Sequence, residues 1–440
     1  MSSAKPKIIV LDDDPTGSQT VHSCLLLTRW DEDTLRLGLL DKCPIFFILT
    51  NTRSLTPEKA ASVTREVCQN LKRAIASEKI EDFIIVSRSD STLRGHYPIE
   101  TDAIAEELGP FDAHFLIPAF FEGGRITRHS VHYLIVNSVP TPVHETEFAK
   151  DSVFGYSHSY LPDYVEEKTK GRIRAEEVER ILVADIRYGS IDRFMQMKDN
   201  QCAVVDGQSQ GDLDLFAQLI LDAASQGKKF LFRSAASILT SLADLGPQPI
   251  AADNMAKYVR DGKPGAVIVG SHVKKTTEQL EQLLKEPNIV SIELDVSHLV
   301  EDSPEYRPQM LDEILEKVRT ANADGKTPVI YTSRQELEFE NAEIRLKFGE
   351  AVSALLMDIV RGLPADIGFL ISKGGITSND VLSTGLSLKS VRQIGQIIPG
   401  CSVVKTEADH PLFPNLPVVL FPGNVGDSNA LATVYKRLSK

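Results

Sequence analysis

Short, unbroken apolar runs recur along this chain, each ending abruptly in a polar loop and followed by a stretch with helical spacing. The first is Ile8-Ile9-Val10-Leu11, which runs into Asp12-Asp13-Asp14-Pro15-Thr16-Gly17. Pro15 cannot extend a ladder and Gly17 permits a turn, so the three carboxylates fall on the loop past the strand. The pattern predicts strands at Val21–Thr28, Ile45–Leu49, Phe83–Val86 and Ala113–Ile117, and helices at Asp31–Leu40, Pro57–Ala76 and Ile99–Leu108. Thr56 stands ahead of Pro57 as an N-cap. Runs without polar alternation suit a sheet buried on both faces, and strand–helix alternation makes that sheet mostly parallel. Ligands of open α/β sheets bind beyond the carboxyl ends of the strands, where the polar loops of this chain fall.

At 440 residues the chain is too long for one core. The stretch Phe121–Tyr164, rich in His, Thr, Ser and Pro, predicts a long irregular loop with a function. Alternation resumes with Ala175–Leu182, a strand at Ala203–Val205, a helix at Leu213–Gln226, a strand at Phe230–Phe232, and Ser237–Leu245. Gly246-Pro247-Gln248-Pro249 reads as a linker. Beyond it, strands are predicted at Ala266–Val269, Ile289–Leu294, Pro328–Tyr331, Gly368–Ile371 and Val418–Phe421. Helices are predicted at Thr276–Lys285, Met310–Ala323, Ile344–Arg361 and Asp427–Leu438. The expected fold class is α/β in two domains, each a mostly parallel β-sheet flanked by helices. The boundaries read as 1–245, a linker over 246–262, and 263–440.

A net charge of −13 argues against a nucleic-acid partner, while local arginines still permit a small anion. The five cysteines are scattered without a CxxC pair, as expected of buried thiols in a reducing compartment. The opening MSSAKPKIIV has no apolar signal region, and no run approaches the roughly 20 residues that span a bilayer. No membrane association is expected, and a cytoplasmic location is.

Two kinds of chemistry separate along the chain. In the second half, Lys373-Gly374-Gly375-Ile376-Thr377-Ser378 lies between a strand and a helix expected to start near Asn379. Paired glycines let a ligand approach the backbone, and free amides at such a turn favour phosphate. Gly423, Asn424 and Gly426 repeat the arrangement, and Gly270-Ser271 makes a third turn with Thr276, Thr277 and Gln279 just beyond. In the first half, Asp12, Asp13 and Asp14 share a sheet edge with Arg53, Ser54, Ser91, Thr92 and Arg94. Guanidinium forks match a ligand carboxylate, and carboxylates accept from sugar hydroxyls. Other signals fail. Gly325-Lys326-Thr327 lacks the first P-loop glycine and runs into Pro328, and no GxGxxG, HExxH or GxSxG occurs. His129 and His132 have no third partner for a metal, whose ligands stay unknown.

Taken together these loops resemble the four-carbon acid sugar kinase family. The matching segments are DDPTG at Asp13–Gly17, NTRS at Asn51–Ser54, SDSTLRG at Ser89–Gly95 and PAFFEGGR at Pro118–Arg125. They continue with VPTPVHETEFAKD at Val139–Asp151, Gly270-Ser271, KGGITS at Lys373–Ser378 and PGNVGDSNAL at Pro422–Leu431. Two departures stand out: Arg88 occupies a position where the family usually has lysine, and Arg233-Ser234 replaces a Gly-Ser turn.

The resemblance implies ATP-dependent phosphorylation of the terminal hydroxyl of a threonate, erythronate or 3-oxo-tetronate, with Mg²⁺ bridging the phosphates. It implies that Asp13 or Asp14 orients or deprotonates that hydroxyl. Asp12, Arg53, Asp90, Ser91, Thr92, Arg94 and Arg125 would hold the sugar acid. Gly270, Ser271, Lys373, Gly374, Gly375, Thr377, Ser378, Gly423, Asn424 and Gly426 would cradle ATP. A kinase of a branched oxo-acid such as 3-oxo-isoapionate, or a non-catalytic sensor of nucleotide and sugar acid, are the alternative readings. The oligomeric state stays open, a homodimer included.

Overall fold

The computed structural model describes residues 5–136, 138–300, 306–334, 342–423 and 425–439. The chain divides into two compact units, one up to Pro247 and one from Gln248.

The first unit is built on parallel strands: β1 (Lys7–Asp12), β2 (Leu25–Leu27), β3 (Ile45–Leu49), β4 (Phe83–Arg88) and β5 (Ala113–Ile117). Between β5 and the next strand of this sheet lie β6 (Arg125–Arg128), β7 (Val131–Val136) and β8 (Val139–Pro142). The sheet is completed by β9 (Glu179–Ile181), β10 (Gln201–Val205) and β11 (Phe230–Ser234), in the order β2-β3-β1-β4-β11-β5-β10-β9. Every pairing in it is parallel. From β1 the chain builds outward to β3 on one side and then to β4 on the other, which makes the end of β1 a topological switch point. Residues Ile8 to Leu11 are all buried, as a strand covered on both faces demands.

Three expectations need correction here. The second strand is only Leu25–Leu27, shorter than Val21–Thr28. Phe121–Tyr164 is not an irregular loop, because β6, β7 and β8 form an antiparallel sheet of their own. Its edge strand carries Pro140 and Pro142, which masks the usual strand signal. Ala175–Leu182 is a single 3₁₀ turn followed by β9, and short helices at Leu161–Lys168, Val183–Tyr188 and Asp192–Gln196 escape the periodicity. The helix Pro57–Glu78 begins as expected, the Thr56 hydroxyl accepting from the Lys59 amide at 3.4 Å.

The second unit contains β12 (Ala266–Val269), β13 (Ile289–Leu294), β14 (Thr327–Thr332), β15 (Leu370–Lys373), β16 (Ser390–Ile398), β17 (Cys401–Lys405) and β18 (Pro417–Phe421). They run in the order β13-β14-β12-β15-β18-β17-β16. All pairs are parallel except those of β17, which is antiparallel to both neighbours. The β16–β17 hairpin was not anticipated: register shifts near Gln393, Gly395 and Gln396 break its alternation. Residues 248–262, expected as linker, belong to the second unit. Met255 is fully buried in its core, and Gln248 bonds the backbone of Gln396. Among the described residues no helix is long and apolar enough to cross a membrane.

An aromatic knot anchors the first unit. Phe115 is fully buried and packs its ring 5.3 to 5.4 Å from those of Phe216, Phe230 and Phe232. Phe115→Ala should cost about 3–5 kcal/mol through the cavity left behind. A urea titration followed by near-ultraviolet circular dichroism checks this; an unmoved midpoint would place the ring outside the cooperative core.

Candidate functional site

The first unit gathers charge at the carboxyl ends of β1, β3, β4 and β11. Asp12 is the last residue of β1 and is fully buried. Arg88, the last residue of β4, points Nη1 at its Oδ1 from 3.2 Å, while Asp12 Oδ2 and Arg88 Nε are buried without hydrogen-bond partners among the described residues. Asp13 is gripped from two sides. Arg53, on the turn after β3, donates from Nε to Oδ2 at 3.1 Å and from Nη2 to Oδ1, and the Ser89 hydroxyl donates to Oδ2 at 2.5 Å. Asp14 is the more open: its side chain is 21% exposed against 1% for Asp13. It accepts from the Thr16 amide at 2.8 Å, from the Thr16 hydroxyl, and from Arg53 Nη1 at 3.3 Å.

These surroundings split the carboxylates. Burial pushes Asp12 up to about 7, because Arg88 only partly offsets it and Asp13 and Asp14 add repulsion. Burial also acts against ionised Asp14, but Arg53, Arg88 and Thr16 outweigh it and hold that carboxyl below the ordinary range. Asp90 is likewise held low, Arg94, Arg53 and Thr92 overcoming its burial.

The loop after β4 supplies the other expected residues. Arg94 Nε donates to Asp90 at 2.7 Å, the Thr92 hydroxyl bonds the same carboxylate, and the Arg94 guanidinium lies over Phe148 at 4.9 Å. Arg53 and Arg94, expected to hold a ligand, are thus engaged by the protein's own acids. Arg233 pairs with Glu100 at 2.6 Å, and Thr52 bonds the other oxygen of that carboxylate at 2.5 Å. Arg125 differs. Among the described residues its side chain makes one hydrogen bond, to the Gly123 carbonyl, its Nε is buried without a partner, and it forms no ion pair with a carboxylate. Asp90, Arg94 and Glu147 act on it electrostatically, which places it near this cluster.

Sequence reasoning missed the side chains that hold the Asp90–Arg94 loop. His132 Nε2 lies 2.7 Å from the Ser91 carbonyl, and the hydroxyls of Tyr156 and Tyr164 donate to the carbonyls of Thr92 and Leu93 at 2.7 and 2.9 Å. Burial lowers His132 to about 4, which keeps the ring neutral. Their only sequence signal was membership of the stretch taken for an irregular loop.

In the second unit three strand ends meet. A Cβ added at Gly270 would lie 2.3 Å from Thr377 Oγ1, and one at Gly374 3.1 Å from the Ser271 Cβ. The turns after β12 and β15 are therefore in contact. The Thr276 hydroxyl, 3.2 Å from Ser271 Oγ and 3.4 Å from the Gly423 carbonyl, ties in the turn after β18. The helix here runs from Gly375 to Asp380, starting earlier than Asn379, so Gly375 is its first residue. Thr377 makes no side-chain hydrogen bond among the described residues. Lys373 and Ser378, expected as direct donors, are fully buried and committed internally: Lys373 to the Pro422 carbonyl at 2.6 Å, Ser378 to Ser372. Gly426 has a φ of +80°. Asn424 lies outside the described residues. Arg334, just past β14, was not anticipated; it donates to the Ser271 carbonyl at 2.6 Å and stacks on Tyr331 at 5.7 Å.

The architecture defines a two-unit α/β protein with a carboxylate–guanidinium site in one unit and a glycine-turn site in the other. Comparison with known proteins bears on the two units and the family. A family model described as a sugar-binding N-terminal domain matches residues 8–242, and one described as a nucleotide-binding C-terminal domain matches residues 266–431. A D-erythronate kinase of Heliobacterium modesticaldum is 23% identical over 447 residues, covering 97% of this chain and 95% of that protein. A D-threonate kinase of Salmonella typhimurium is 24% identical over 451 residues, covering 97% and 96%. A solved structure from Salmonella typhimurium LT2 shares the fold with a TM-score of 0.72 at 19% identity, covering 99% of this chain and 98% of that one. A Haemophilus influenzae structure does so with a TM-score of 0.64 at 17% identity, covering 98% and 100%. The chain belongs to the four-carbon acid sugar kinase family.

The Asp12 carboxyl makes stability depend on pH. Folded, it keeps its proton to about 7, whereas its ordinary value is 3.8. Between those values the folded state binds more protons than the unfolded chain, so this stabilisation is present at low pH and lost as pH rises through about 7. Asp12→Asn cannot titrate. Denaturant unfolding at pH 4.5 and 7.5 should show the parent losing stability relative to Asp12→Asn as pH rises, and parallel slopes would contradict the assignment.

Proposed function

We propose that this protein is an ATP-dependent kinase that phosphorylates the terminal hydroxyl of a four-carbon sugar acid of the threonate, erythronate or 3-oxo-tetronate type. The observation that carries the reading is Arg125. Arg53, Arg88, Arg94 and Arg233 each face a carboxylate, whereas Arg125 faces none among the described residues. A half-buried guanidinium with no ion-pair partner of its own, near a rim of carboxylates and hydroxyls, suits a ligand that brings its own carboxylate and several hydroxyl groups. The names of the related kinases support the same substrate class.

Of the two expected acids, Asp14 takes the catalytic role in this reading. Asp13 spends its oxygens on Arg53 and Ser89, while Asp14 retains solvent access. Phosphoryl transfer needs the acceptor oriented more than strongly deprotonated, so an ionised Asp14 that accepts the hydroxyl proton is sufficient. Asp13 then serves to fix Arg53. On the nucleotide side, Ser271, Thr377 and Arg334 offer two hydroxyls and a cation beside the glycine turns. Thr377 Oγ1, beside the glycine turns, is an oxygen that would help hold a nucleotide-bound Mg²⁺. Bound there, it would neutralise charge on the transferred group.

Coupled ADP release with Mg-ATP against both threonates, both erythronates, 3-oxo-tetronates and a branched oxo-acid tests the reading. Turnover with one sugar acid is expected; nucleotide binding without turnover on any of them would leave a sensor. Arg125→Ala should raise KM for the sugar acid by about ten- to a hundredfold, the worth of one charged hydrogen bond, and leave KM for ATP alone. Equal effects on both would remove Arg125 from the acceptor site. Asp14→Asn should collapse kcat with ATP affinity intact, and near-parental turnover would refute its role.

A further inference from the structure

The turn after β18 is held from inside the fold by three side chains that reach its carbonyls. Lys373 donates from Nζ to Pro422 at 2.6 Å and to Gly423 at 3.3 Å, with its amine 4.2 Å from the Phe421 ring centre. Gln279, fully buried on the helix Lys274–Leu283, uses its Nε2 amide on both the Val425 carbonyl at 2.9 Å and the Asp427 carbonyl at 2.8 Å. Thr276, on the same helix face, sits 3.4 Å from the Gly423 carbonyl. The Gln279 Oε1 is buried with no hydrogen-bond partner among the described residues, while its amide is committed to the turn.

A trans peptide is planar, with its carbonyl and its N–H on opposite sides. With the carbonyls of Pro422, Val425 and Asp427 drawn inward, the amides of Gly423, Gly426 and Ser428 turn away from the brace. None of the three donates to a described residue. The left-handed φ of Gly426 belongs to the kind of backbone in which successive amides line one concave side, a shape that binds anions.

We infer that Lys373, Gln279 and Thr276 are positioning residues of a phosphate cradle: they grip the carbonyls of this turn so that its amides face the ligand. The inference rests on the nucleotide reading above. It gives Lys373 a different task from that of a cation meeting phosphate, since its amine is committed to two carbonyls and an aromatic face.

Calorimetric titration of the full chain with Mg-ATP and Mg-ADP, beside thermal melts, tests it. Gln279→Met exchanges one neutral side chain for another of similar length. It should weaken both nucleotides by the same factor, about tenfold or more, while KM for the sugar acid stays put. Parental affinities in a folded Gln279→Met overturn the inference. Should that variant not fold, Thr276→Val carries the test with the same expected sign, and parental affinity there overturns it. Lys373→Met that weakens ATP but spares ADP would place the amine on the terminal phosphate and also overturn it. A parent protein that binds neither nucleotide refutes the nucleotide reading itself, before any variant is made.

Discussion

A β-strand buried on both faces favours apolar side chains until it ends. In the first unit the interior of β1 is wholly apolar and its last residue is Asp12, and β4 and β11 finish on Arg88 and Ser234. In the second, β15 finishes on Lys373. Because these strands run parallel, their polar ends fall on one edge of each sheet, and Arg125 joins the first unit's cluster from the separate β6–β7–β8 sheet. The site is a consequence of how the core excludes water and polarity.

Concentrating charge at such an edge has to be compensated. Removing an ion from water costs several kcal/mol unless a partner meets it. The first unit answers with interlocked pairs, Arg88 on Asp12, Arg53 on Asp13 and Asp14, Arg94 on Asp90, and Arg233 on Glu100. Such a lattice fixes side chains in place before any ligand arrives, which suits a reaction that depends on positioning. Arg125 differs from these four: among the described residues it has no ion-pair partner.

Both units shape their loops by the same device, buried side-chain donors on main-chain carbonyls. His132, Tyr156 and Tyr164 take the carbonyls of Ser91, Thr92 and Leu93, across separations of 41, 64 and 71 residues. Lys373 and Gln279 do so for the turn after β18 across about 50 and about 150. These loops therefore carry a defined backbone without regular secondary structure.

The sequence by itself determined the α/β class, most of the buried strands, and the loops on which the candidate residues lie. Unbroken apolar runs and Gly, Pro and acidic stops are local signals, and a strand's end is where its local signal changes. Only the tertiary structure decided what those residues do to one another. Asp13 clamps Arg53 while Asp14 stays more open, Lys373 is buried on the Pro422 and Gly423 carbonyls, and among the described residues Arg125, unlike Arg53 and Arg94, forms no ion pair. The small β6–β7–β8 sheet and the β16–β17 hairpin were also invisible beforehand, because prolines and register shifts erase their period-two pattern. Pairing, burial and bond direction depend on residues tens to hundreds of positions apart, and no local pattern carries that distance.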